Sequence, residues 1–100
     1  MVRVNWTKLA AADLKNIAGF TTAKYSAGQS KSLINSIILK VKNLKALPES
    51  GIVVDGITDE SIRQIDEIPY KILYKIVSPE QIHVLAIHEN INTFNKRNVF

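Results

Sequence analysis

From Tyr70 to Val77 the chain alternates without a break, with Tyr70, Ile72, Tyr74 and Ile76 at even positions and Lys71, Leu73, Lys75 and Val77 at odd ones. A period of two sends successive side chains to opposite faces of an extended backbone, and β-branched and aromatic residues suit that pleated surface. The stretch reads as a strand. Pro69 has no N–H to give a ladder, so it separates this strand from a shorter run, Ile62 to Ile68, and the two read as an antiparallel hairpin. A lone hairpin is marginal in water, so the rest of the chain has to cover its apolar face.

The remaining segments supply that cover. Val2 to Trp6 alternates apolar and polar residues as a short first strand, and Thr7 follows as a helix N-cap. Lys8 to Tyr25 lines up Ala10, Leu14, Ile17, Ala18, Thr21 and Tyr25 along one helical stripe. Ser26-Ala27-Gly28-Gln29 has capping-box spacing, and the next helix repeats Ile34, Ile37, Ile38, Val41, Leu44 and Leu47 at three and four residues until Pro48 stops it. Its opposite face carries Lys31, Asn35, Lys42 and Asn43. Two helices with almost no linker fold back as an antiparallel hairpin. Pro48 to Ser61 is a loop by composition, within which Ile52-Val53-Val54 either pairs briefly as an edge or packs under the loop. Gln81 to Glu89 is a further strand, with Ile82, Val84 and Ala86 on one face and Leu85 and Ile87 on the other. The order is β-α-α-β-β-β, an α+β domain over residues 1–100 with the helical hairpin packed on a small antiparallel sheet and residues 90–100 as a C-terminal tail. On this pattern Ile38→Asp unfolds the domain.

Composition narrows the function classes. One hundred residues at 46% hydrophobic suffice for one core. There is no cysteine, so neither a disulfide framework nor a thiolate metal site is available. Four scattered glycines make no phosphate loop, and the two histidines have no carboxylate at ligand spacing, so no metal or cofactor is expected. The N-terminus has no long apolar run, and no stretch approaches the roughly 18 apolar residues of a membrane span; a cytoplasmic location is the expectation. A net charge of +4 and a pI near 9.5 favour acidic partners, although the lysines of the second helix, Lys31, Lys40, Lys42 and Lys45, spread around it without forming a phosphate-tracking stripe.

Three local patterns, in this order, make the chain resemble the RelE/ParE superfamily of type II toxin–antitoxin modules. A Val-x-Trp-Thr start leads into Ala10-x-x-Asp13-Leu14; a helix ends at Leu47-Pro48 before Gly51; and Arg63, Tyr70-Lys71-x-x-Tyr74 and His88 follow on the hairpin and last strand. The resemblance runs up to His88 and implies one of two activities. RelE-like members cut messenger RNA on the ribosome, and ParE-like members poison DNA gyrase by binding.

A phosphodiester nuclease needs preorganised positive charge at the scissile phosphate, where one donor is worth about 100-fold or more. The RelE-like pattern implies an arginine late in the first hairpin strand and another after the last strand; here those places read Asp66-Glu67 and His88-Glu89-Asn90. Acidic groups beside a phosphate repel it. The expectation is therefore a ParE-like binding toxin that inhibits gyrase, is neutralised by an acidic cognate antitoxin in a toxin–antitoxin hetero-oligomer, and meets its target through Phe94, Lys96 and Arg97 of the tail. The alternatives are a ribosome-dependent mRNA endonuclease using Arg63, Lys71, Tyr74 and His88, and a member that has lost toxicity. His83 is expected on the strand face opposite His88, as a surface residue.

Overall fold

The computed structural model describes residues 2–89. Its elements are β1 (Arg3–Trp6), α1 (Lys8–Lys24), α2 (Ala27–Asn43), β2 (Ile52–Val53), β3 (Ile62–Glu67), β4 (Tyr70–Ser78) and β5 (Gln81–Glu89), and the sheet runs in the order β1-β5-β4-β3-β2. The α+β class and the helical hairpin after a short first strand are as the sequence implies. The sheet is mixed, because β1 lies parallel to β5 while the other pairings are antiparallel. Two helices separate β1 from the rest of the sheet, and that crossover allows it to join β5 in parallel. Of the two expectations for Ile52–Val53, the brief pairing is the one present, as β2.

Local chemistry sets the helix boundaries. The Thr7 side chain accepts from Ala10 N, the Ser26 side chain accepts from Gln29 N, and each cap has extended backbone. One residue, Tyr25, lies between α1 and the Ser26 cap, so the helices must run back against each other. Their contact contains a polar pair: the Thr21 and Ser30 hydroxyls lie 2.8 Å apart and reach the carbonyls of Ile17 and Ala18. Both side chains are buried, and the bonds satisfy them there.

The helical layer covers one face of the sheet. Ala10 and Ile17 from α1, Ile37 and Val41 from α2, and Tyr70, Ile72, Val84 and Ile87 from the sheet form the main core, and Leu44, Tyr74 and Ile82 extend it. The α2 stripe is narrower than its sequence suggests: Ile37 is fully buried, whereas Ile38 is 42% and Leu47 65% exposed. The substitution expected to unfold the domain therefore belongs at Ile37, one position earlier.

A β-bulge alters the last strand. Leu73 pairs with Ala86 but Tyr74 pairs with Val84, so Leu85 is an extra residue opposite no partner. The alternation changes phase there. Ile82, Val84 and Ile87 are buried, and Ala86, expected with the first two, turns to the other face. For the same reason His83 and His88, expected on opposite faces, share the face away from the helices.

Candidate functional site

The hairpin brings Arg63 and Tyr74 together, since they are cross-strand partners on the helix-covered face. Tyr74 is completely buried. Its hydroxyl accepts from Gly51 N at 3.0 Å and donates to Pro48 O at 2.7 Å. Arg63 Nη1 donates to the carbonyls of Gly51 at 3.1 Å and Glu49 at 3.4 Å, and its other terminal nitrogen sits 3.9 Å from the Glu49 carboxylate. Burial pushes the Tyr74 hydroxyl above its ordinary pKa, while the Gly51 N–H and the Arg63 charge act in the opposite direction. Both side chains are thus occupied in fastening the Pro48–Gly51 turn to the sheet. Gly51 is required by this approach: a Cβ there would lie 2.5 Å from the Tyr74 hydroxyl oxygen and 2.8 Å from the Gln64 carbonyl oxygen.

Lys71 and His88 are also cross-strand partners, but on the opposite face, in a row with Asp66 of β3. The four residues named for a nuclease therefore form two pairs on two sides of one sheet. Tyr74 has no open surface from which to meet a phosphate, and a carboxylate stands beside Lys71. Farther along the same face His83 pairs with Lys75, whose ammonium is 3.6 Å from Asp59. Among the described residues no group of His, Asp and Glu is arranged to hold a metal ion. Phe94, Lys96 and Arg97 lie outside the described residues.

The two edges of the sheet differ. β1 covers β5 only as far as Val84; beyond it Thr7 N donates to Val84 O, the Thr7 hydroxyl donates to Leu85 O at 3.0 Å, and Asp13 accepts from Ile87 N at 3.0 Å. Helix α1 thus closes that edge with side chains. Asp13 was visible in the sequence as part of a motif, but its role depends on a bulge that no local pattern announces. On the other side β2 pairs only with Gln64 and Arg63, so Ile65–Glu67 has no strand partner there among the described residues. Next to this open edge lies a groove of about 410 Å³ lined by Lys40, Asn43, Leu47, Ser50, Ile52, Gln64, Ile65 and Asp66. Leu47 and Ile52 are exposed large apolar side chains at its wall. An edge strand beside an apolar groove is the geometry that accepts an added strand from a partner.

The family model for the ParE toxin of the type II toxin–antitoxin system parDE matches residues 4–89. Among solved structures, a chain described as the chromosomal ParDE TA system from P. aeruginosa superposes with a TM-score of 0.74 at 21% identity, covering 89% of this chain and 96% of that one. At that identity the likeness is one of fold. No curated protein matches.

Proposed function

Because the chain belongs to the ParE toxin family of type II toxin–antitoxin systems, we propose that it acts by binding, with DNA gyrase as its target, and that an acidic cognate antitoxin holds it inactive. The observation that carries the choice of binding over RNA cleavage is the fate of Arg63 and Tyr74. Both are consumed in fastening the Pro48–Gly51 turn, on the face opposite Lys71 and His88. A binding toxin needs no cofactor and no convergent acid–base pair.

The open edge of β3 and the groove beside α2 support the antitoxin partnership. An extended antitoxin segment would pair with Ile65–Glu67, place apolar side chains against Leu47 and Ile52, and present a carboxylate to Lys40. Strand pairing and the apolar wall carry the fit there, since Lys40 is the one cation lining the groove and Asp66 and Glu67 on the same edge oppose further carboxylates. The similar fold of a chain from a solved ParDE TA system supports an antitoxin as the partner. The tail residues Phe94, Lys96 and Arg97 remain our candidates for target contact, and the proposed target and partner place the protein in the cytoplasm.

The test is a supercoiling assay with purified gyrase and plasmid, run beside cell-free translation. We expect supercoiling to fall while transcripts stay intact, with Lys71→Ala and His88→Ala unchanged in both. Transcripts cut by the wild type and spared by His88→Ala would overturn the reading.

A further inference from the structure

The charge of this chain is segregated. Residues 8–45, the helical layer, hold seven lysines and one aspartate, whereas residues 49–67 hold six acidic residues and one arginine. The single aspartate, Asp13, is engaged with Ile87 N. All seven lysines are exposed, and among the described residues no carboxylate lies within ion-pair distance of any of them.

Helical geometry sorts the seven. Lys24 sits over the rings of Phe20 and Tyr25, at 5.5 and 5.4 Å from their centroids, and Lys40 lines the groove beside β3. Lys45 lies in the turn after α2. Lys8 and Lys15 are seven residues apart on α1, on a face away from buried Ala10, Ile17 and Thr21; Lys31 and Lys42 are eleven apart on α2, away from buried Ile37 and Val41. The Thr21–Ser30 and Ser30–Ala18 bonds fix the hairpin register, which sets Lys8 beside the Lys42 end of α2 and Lys15 toward Lys31. The four ammonium groups thus flank the outer seam between the helices in two groups. At a rise of about 1.5 Å per residue the two lysines stand roughly 10 Å apart on α1 and roughly 16 Å apart on α2. Helix by helix the lysines look scattered; the pair of helices makes them a stripe.

We propose that this seam is a docking surface for the phosphate backbone of duplex DNA. Beside the four lysines the helical spacing places small or polar side chains, Ala11, Ala12, Thr22 and Asn35, with Ile38 the one large apolar side chain among them; Leu9, Phe20 and Leu39 are exposed on other faces of the two helices. Lysine is depleted from protein–protein interfaces, which are built on aromatic and apolar anchors, whereas phosphate contacts are made by cations with small polar donors between them. That composition favours nucleic acid over a peptide. These spacings, roughly 10 and roughly 16 Å, bracket the major groove of B-DNA, about 12 Å across, so the two groups can meet phosphates on its two sides. Binding of this kind holds no sequence information. It would keep the toxin on the DNA where its target works, and the choice of DNA over RNA rests on the gyrase reading above.

The experiment is fluorescence anisotropy of a labelled mixed-sequence DNA duplex with the purified chain and no gyrase present. We expect binding indifferent to sequence that weakens roughly 100-fold between about 50 and 200 mM salt, as four phosphate contacts require. The double variant Lys15→Glu/Lys42→Glu should lose at least tenfold in affinity with its circular dichroism melt intact, and Lys24→Glu, at the far end of α1 from Lys8, should bind as the wild type does. No binding at low salt, equal loss in Lys24→Glu, tighter binding of single-stranded RNA, or binding of polyglutamate in place of DNA would each overturn the proposal. Gyrase inhibition is measured separately, so a wild type that inhibits gyrase without binding DNA refutes the seam and spares the target; a wild type that binds DNA without inhibiting gyrase refutes the target alone.

Discussion

The Tyr74 hydroxyl carries more of the fold than its size suggests. It joins the centre of the sheet to the turn after α2 through two backbone groups, and removing a partner from a buried group costs about 1–3 kcal/mol. Tyr74→Phe should therefore lower stability by roughly that amount in urea titration without changing the slope. Gly51→Ala should cost as much or more, because the Cβ meets the Gln64 backbone carbonyl as well as the tyrosine. The two tyrosines of the core also set a limit at high pH. Burial raises the Tyr74 pKa, and burial followed by the charge of Glu89 raises that of Tyr70. A raised folded pKa favours the neutral phenol in the native state, so this stability is full below the ordinary value of about 10 and is lost as pH rises through the higher folded values. Thermal midpoints measured from neutrality to beyond that range should fall, and the fall should flatten when both residues are phenylalanine. A midpoint that stays level in the wild type would argue against the burial of these hydroxyls.

At the scale of elements the decisive features are the α2 face and the β5 bulge. Ile37→Asp places a charge in the core and should abolish the folded state, whereas Ile38→Asp should give a soluble chain that melts cooperatively. The sequence stripe put the two on equal terms because adjacent residues both fall within an apolar arc of a helical wheel. Which of them faces the sheet is set by the rotation of the helix, and that rotation is fixed by its partner helix and the strands below. Leu85 poses the same problem in a strand: strict alternation gives no sign of an extra residue, because the shift shows only against β4. Asp13 answers for the consequence. Asp13→Ala should destabilise by about 1–3 kcal/mol by leaving Ile87 N–H without its acceptor, and Asp13→Asn, which keeps an acceptor oxygen, should lose less; denaturant titration of the two separates the hydrogen bond from the charge.

Over the whole molecule the helical layer and the sheet share one apolar interior, since Ala10, Ile37, Ile72 and Val84 belong to the same cluster and Val4 and Ile65 pack against both parts of it. Neither layer keeps its apolar face dry alone, so the two should unfold together. Trp6, the single tryptophan, packs against the main cluster from β1. Its fluorescence and the helical circular dichroism should therefore give coincident denaturation curves. Separate transitions would show the helical hairpin to be an independent unit. The segregation of charge belongs to the same scale: a basic helical layer and an acidic stretch from 49 to 67 nearly cancel each other, and the remaining residues bring the whole chain to +4. The net figure hides both.

The sequence by itself settled what depends on neighbours along the chain. The strand at Tyr70–Val77, the caps at Thr7 and Ser26 and the α+β order are written in spacings of two to four residues, the range over which backbone geometry acts; the second helix, expected to run to Pro48, ends already at Asn43. The family, too, was readable there, because its motifs are local. Tertiary structure decided whatever depends on two segments at once: the parallel pairing of β1, the phase of β5, the open edge of β3, the separation of Arg63 and Tyr74 from Lys71 and His88, and the lysine seam. These follow from register and layer packing, which sum contacts over residues far apart in the chain. From Tyr70 onward the alternation told which residues share a face, but only the fold told which face was already occupied.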